Sequence, residues 1–359
     1  MAALAVILGI AWAAVVAVDV FVTIVLPRRV AGRFRLTVIF YRISWRPWSF
    51  CARHMRDRKR REAWLSVYGP LSLLLLLAMW TMALSFAFAL MHWGMTGAHT
   101  AFRDELLASS MNLVDLAGGW RDAGALPFLT VLESGSGLGL LALVIGYLPV
   151  VYQSFSRREA NITLLDARAG SPPSASELLV RYGNGGDMAQ LTELLRDWEH
   201  WAAELLESHI SYPVLGYFRS QHDNQSWLSA MTAILDASAL CLTGVDGVSR
   251  LQAQLTFAMA RHAIVDLAKI FSVPPLAEAA DRLPPEEYAN LRARVIEGHV
   301  RVCDDEAKRQ RLLELRRMYE PYVEALSQYL LMELPPWVST KRTPANWQTS
   351  KWERSGAMH

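Results

Sequence analysis

Three long apolar stretches confine this chain to a helical, membrane-spanning architecture. The first runs from Ala2 to Leu26 with a single charge, Asp19. The second, Ala63 to Phe102, has no acidic or basic residue apart from His92 and His99, and its core at 69–89 holds Leu71 and the run Leu73–Leu77. The third, Ala123 to Ser156, carries only Glu133, with its core at 126–152. About 20 apolar residues of helix cross a bilayer. Backbone N–H and C=O groups in lipid must pair within their own segment, which selects helices here. The composition agrees: 52% of residues are hydrophobic and 19% charged, and the mean hydropathy is +0.17. Cys51, Cys241 and Cys303 are scattered, which excludes a disulfide framework and a zinc site of ordinary spacing.

Charge orients the spans. Residues 28–61 hold twelve Arg or Lys against one acid, Asp57, whereas 93–126 holds two basic and four acidic residues. By the positive-inside rule the basic segment is cytoplasmic, the N-terminus is outside, and everything after Arg157–Arg158 is inside. This predicts a multi-pass protein of the inner (plasma) membrane. The basic segment reads as topogenic and lipid-facing rather than as a nucleic-acid patch, and its Trp45, Trp48 and Phe50 suit an interfacial helix. Asp19 lies near the cytoplasmic end of span one, within reach of Arg28 or Arg29.

The segment between spans two and three predicts a short helix over 100–113, with Asp104 and Glu105 in its first turns, where the helix dipole favours acids. Asn112-Leu113-Val114-Asp115-Leu116-Ala117-Gly118-Gly119-Trp120 follows. A short helix and a glycine-containing stretch between two spans suit a re-entrant pore loop; an extracellular loop with a surface helix is the plainer alternative.

This span–loop–span order resembles the two-transmembrane pore module of the potassium channel superfamily. The run from Val131 through Glu159 to Leu165-Asp166-Ala167-Arg168 is similar to bacterial potassium-channel-like proteins with an extra N-terminal span and a helical cytoplasmic tail. The resemblance covers residues 64–160, and more loosely 208–236. It implies a homotetramer around one axial pore, lined by the last span, with a filter carried by the loop and monovalent cations (potassium or sodium) as the permeant partner. The filter departs from the family pattern. Asp115 stands at the threonine position, Ala117 at the first glycine, Gly118 at the aromatic and Trp120 at the final Asp, while Gly119 keeps its identity. Ala in a left-handed conformation costs roughly 1–2 kcal/mol, so potassium selectivity does not carry over. Residues 115–119 (Asp115, Leu116, Ala117, Gly118, Gly119) form the candidate pore mouth, and four copies of Asp115 would make a cation-attracting ring. Alternatively, Asp115 bonds its own backbone amides.

In span three, an ionisable Glu133 is a functional candidate, either buttressing the pore helix or facing the pore. Gly135, Gly137 and Gly139 suit close helix packing or a hinge. Pro149 should kink the inner helix near a gate formed by Leu148, Val150, Val151 and Tyr152. The single acid of span one argues against a voltage sensor.

Beyond a Gly170-Ser171-Pro172-Pro173-Ser174 breaker, apolar residues recur at helical spacing over 188–209, 226–242, 248–271 and 285–331. Strand–helix alternation is lacking, which argues against a Rossmann domain. The loop at 182–187 reads as a helix cap rather than a phosphate loop. His209, His222, Asp223, Asp236, His262 and Asp266 are candidates for a polar pocket, or for caps and core histidines. The chain therefore divides into an N-terminal span (1–27), a basic loop (28–62), a pore module (63–156), a linker (157–175), a helical cytoplasmic domain (176–334) and a flexible tail (335–359). The expected class is an all-α membrane protein: three transmembrane helices, a re-entrant pore helix and loop, and an α-helical cytoplasmic domain. No cofactor or metal is implied, and no nucleophile–base pair or nucleotide motif suggests an enzyme. A tetrameric pore-loop cation channel regulated by its cytoplasmic domain is the leading reading; a non-conducting membrane sensor or scaffold is the alternative.

Overall fold

A computed structural model describes residues 2–26, 35–97, 99, 101–114, 127–221, 224–278 and 280–339. Among these the elements are helical, and β pairing is confined to one isolated bridge, Val245 to Val302. The chain forms two compact units, 1–153 and 154–359.

The first unit begins with α1 (Ala2–Val20), extended by a π-helical turn (Phe21–Val25). Next come α2 (Leu36–Arg53), α3 (Arg58–Met95), α4 (Phe102–Val114) and the first part of α5 (Pro127–Ala169). The three helices long and apolar enough to cross a membrane are the ones expected: Ala2–Val25, Arg58–Met95 and Pro127–Ala169. α1 and α3 pack antiparallel through small residues. A Cβ on Gly9 would stand 2.7 Å from the Ala87 carbonyl, and one on Gly94 would stand 2.6 Å from that of Ala2. Glycine lets the two backbones approach this closely where lipid supplies no hydrophobic drive. Val16, Val20, Trp80, Leu84, Phe88 and Met91 fill the seam.

α2 folds back on the start of α3 after a turn that ends in Asp57, which caps α3 by accepting from Lys59 N at 2.9 Å. Trp48 and Trp64 stack at 4.1 Å, and each indole N–H donates to the other residue's carbonyl. Trp45 packs edge-on against Tyr68 at 4.8 Å. The basic segment thus contains a helix, as its aromatic residues suggested, but Trp45 and Trp48 turn toward α3 and leave Phe50 exposed. Satisfying the indole N–H groups and burying the rings against a neighbouring helix fixes that rotation.

The second unit holds the end of α5, then α6 (Ala175–Asn184), α7 (Met188–Ser211), a 3-10 turn (Pro213–Tyr217), α8 (Trp227–Thr243), α9 (Arg250–Ile270), α10 (Pro285–Glu297), α11 (Glu306–Arg317) and α12 (Glu320–Leu330). α8 is buried around nearly its whole circumference, with α6, α7, α9, α11 and α12 against it. A helix apolar on all sides belongs in the middle of a core. Asp187, Ser226 and Ser249 cap α7, α8 and α9 through their side chains. The 182–187 loop is accordingly a cap. The breaker stops α5 at Ala169, where Gly170 takes φ +82°, so most of the stretch read as a linker from 157 is helix. The region 285–331 forms three helices rather than one or two. The stretch read as a tail begins inside the packing, because Trp337 is completely buried.

Candidate functional site

In the first unit, three helices converge on one carboxylate. Glu133, in the second turn of α5, is completely buried. Its Oε2 lies 3.3 Å from His92 Nε2, near the end of α3. The same oxygen accepts from Asn112 Nδ2, near the end of α4, at 3.3 Å. Oε1 has no hydrogen-bond partner among the described residues. Ser134 Oγ donates to the Asn112 carbonyl at 3.3 Å. One turn on from Glu133, a Cβ on Gly137 would run into the Leu113 carbonyl. The C-terminal end of α4, which precedes residue 115, is therefore held to α5 by a carboxylate, a hydroxyl and a glycine contact. A carboxylate in an apolar helix bundle is costly unless paired; His92 supplies a full counter-charge only when protonated.

Glu133 is thus buried where α3, α4 and α5 meet. Gly137 is the packing glycine of the three, whereas a Cβ on Gly135 or Gly139 would meet no described atom within 4 Å. Pro149 lies within α5, which continues unbroken past it. Asp115, Leu116, Ala117, Gly118 and Gly119 lie outside the described residues, as do His222 and Asp223. The partners His92, Asn112 and Ser134 were not singled out from sequence. The available signal was two polar side chains, His92 in the apolar part of α3 and Asn112 near the end of α4.

Asp19 forms a second buried acidic site. Its Oδ2 accepts from Thr37 N at 3.1 Å, Thr37 Oγ1 at 2.7 Å and Trp80 Nε1 at 2.9 Å. Arg35 Nε lies 3.9 Å from Oδ1. The described basic partner is thus Arg35; Arg28 and Arg29 lie outside the described residues. Asp19 caps α2 from another helix: it takes the free N–H at the start of α2 and places a negative charge at the positive end of the dipole.

In the second unit Asp236, on the central α8, is completely buried. Arg282 binds it through two bonds, 3.2 and 2.8 Å long, and Tyr319 donates its hydroxyl to Oδ1. Glu320 lies 3.5 Å from Arg282 and 3.1 Å from Arg316. Both guanidiniums face the Trp337 ring at 5.6 Å. Burial works against the charge of Arg282, but Asp236 holds its pKa above the ordinary value. Burial also raises the Glu320 carboxyl.

His209 has a different environment. Its Nδ1 lies 2.7 Å from the Leu205 carbonyl, its ring faces Trp227, and Nε2 is buried without a hydrogen-bond partner among the described residues. Burial, aided by the Arg158 charge, pushes its pKa down to about 3. Arg158 donates to the carbonyls of Leu215 (2.7 Å) and Phe218 (3.0 Å), fixing the turn after α7 to the end of α5. His262 and Asp266 pair at 3.7 Å on an exposed surface. His209, Asp236 and the His262–Asp266 pair thus have separate sets of partners. No group of three His, Cys, Asp or Glu suited to a metal occurs among the described residues.

These features define an all-helical protein with three helices of membrane-spanning length and apolarity. No protein-family model matches the chain, and no curated protein or solved structure is significantly similar to it.

Proposed function

We propose that this chain is a pore-loop cation channel of the inner (plasma) membrane. Four copies surround one axis, and monovalent cations pass a mouth formed by residues 115–119. The observation that carries this reading is the pinned end of α4. A short helix between two spans, held through Asn112 and Leu113 to Glu133, Ser134 and Gly137 of the next span, supports a re-entrant loop starting at residue 115. A surface loop needs no such anchorage. The open faces at Gly135 and Gly139 give a neighbouring copy room to approach along α5. The cytoplasmic unit regulates or assembles the pore.

The test is ion flux through purified protein in liposomes, comparing potassium, sodium and a bulky organic cation. Wild-type protein should pass a small cation and exclude the organic one, and Asp115→Asn should lower flux or change cation preference. Absence of flux from a tetramer verified by cross-linking, across varied pH and voltage, would overturn the channel and leave the non-conducting sensor or scaffold.

A further inference from the structure

We propose that the exposed face of α2 is a binding surface for an anionic phospholipid leaflet, with Arg42 and Arg46 as the headgroup ligands and Ile39, Ile43 and Phe50 as the membrane anchor. Arg35, Arg42, Arg46 and Arg53 follow one another at intervals of seven, four and seven residues. At 3.6 residues per turn these intervals bring the four positions within about 20° of a single line along the helix. Ile39, Ile43 and Phe50 fall on the adjoining line. All three are exposed, Ile43 at 66% and Phe50 at 62%. The opposite side of the helix, Thr37, Trp45, Ser49 and Ala52, is buried. Arg35, at the start, is partly buried beside Asp19, whereas Arg42, Arg46 and Arg53 are exposed; an exposed arginine line beside an exposed apolar line is the pattern of a helix lying in a membrane interface.

Two further observations select the occupant. α2 lies between two candidate spans, Ala2–Val25 and Arg58–Met95, so both of its ends are tied close to the membrane surface. Its inner face is closed by a cluster of Trp45, Trp48, Trp64 and Tyr68, and aromatic residues of this kind favour headgroup depth. Charge decides the headgroup. Neither guanidinium of Arg42 or Arg46 has a hydrogen bond or ion pair among the described residues. Arg56, Arg58, Lys59 and Arg60 continue the positive field on exposed positions into α3. Guanidinium forks match phosphate oxygens in geometry and charge. Asp19 sets the rotation of this face by holding Thr37 at the start of the helix. The inference stands whether or not the chain conducts.

The experiment uses the full-length protein in neutral detergent, titrated with dioleoylphosphatidylglycerol or dioleoylphosphatidylcholine, and reads the melting temperature. Phosphatidylglycerol should raise it in a saturable way and phosphatidylcholine should not. In Arg42→Gln/Arg46→Gln the concentration for half-maximal shift should rise by roughly tenfold or more, since each basic residue at an anionic surface is worth about fivefold. Added salt should weaken the effect in the wild type more than in the double variant. Any baseline loss of stability in the variant is seen without lipid and does not enter the comparison. Ile43→Ser, which leaves the charge intact, should lower the size of the shift. Equal shifts with the two lipids, or an unchanged phosphatidylglycerol response in the double variant, would overturn the proposal. So would a shift that follows oligomer assembly rather than lipid concentration.

Discussion

Asp236 in the second unit and Glu133 in the first are both completely buried acids on apolar helices, yet their surroundings differ. Asp236 has both oxygens engaged, by Arg282 and by the Tyr319 hydroxyl. Glu133 has two neighbours on one oxygen and, among the described residues, no hydrogen-bond partner on the other. A saturated buried ion pair is structural, because removing either partner strands the other in a low dielectric. A carboxylate with an open lone pair and a titratable neighbour retains chemistry. Asp19, in the same unit as Glu133, follows the Asp236 pattern with smaller means: a backbone N–H, a hydroxyl and an indole in place of a guanidinium fork. The first unit therefore contains one buried acid engaged by Thr37 and Trp80 and one, Glu133, with an oxygen that has no hydrogen-bond partner among the described residues.

The comparison breaks first at Asp236. Asp236→Asn leaves Arg282 buried with Glu320 as its one remaining acidic neighbour among the described residues, and should destabilise the protein by about 3–5 kcal/mol. A denaturant titration of the full chain in detergent checks this; a loss below about 1 kcal/mol would show that the network is not saturated in solution.

The next effect comes from pH. His209 is held neutral in the fold, with its pKa pushed down to about 3, below the usual value of 6.5. The unfolded chain therefore binds the extra proton across that window, and stability falls as pH drops from about 6.5 toward 3. The loss should reach about 2–3 kcal/mol by pH 4.5. His209→Leu should flatten this slope in unfolding measured between pH 7 and pH 4.5.

Asp19→Ala is expected to cost about 1–2 kcal/mol, since the N–H of Thr37 and the indole of Trp80 lose their acceptor. The local readout is sharper than the global one: limited trypsin digestion should cut faster after Arg42. Asp19→Asn, which keeps an acceptor oxygen, should lie between the two.

Glu133→Gln should have the smallest effect on stability, under about 1 kcal/mol, because it neutralises a partly unpaired charge without changing volume. Its effect should appear in cation flux instead. A large stability loss with unchanged flux would place Glu133 beside Asp236 and remove the distinction.

Much of the fold follows from local pattern. The first span, the short helix before residue 115, and α7, α8 and α9 lie within about two residues of where periodicity and capping residues put them, whereas α3 starts at Arg58, ahead of the apolar stretch from Ala63, and α5 runs on to Ala169, past the stretch that ends at Ser156. Hydropathy and helix period are properties of neighbours in the chain, as are the side-chain caps of Asp187, Ser226 and Ser249. The candidate site was half legible. Glu133 stands out because an acid in an apolar span is conspicuous, whereas Asn112 reads as an ordinary helix-end residue until α5 is placed beside it. The polar residues of the second unit, which the sequence left open between a pocket and caps or core histidines, illustrate the limit. His209 turns to Trp227 and the Leu205 carbonyl, Asp236 to Arg282, and His262 to the surface.

By itself, then, the sequence determined an all-helical chain with three membrane-length helices and the places where the main helices start and stop. Only the tertiary structure decided how each buried charge is satisfied and which way α2 faces. Asp19 meets Trp80 across 61 residues and Asp236 meets Arg282 across 46. Such pairings arise from packing between elements distant in sequence, and no local propensity encodes them. The same packing turns Trp45 and Trp48 inward and leaves Arg42, Arg46 and Ile43 to meet the solvent or the membrane.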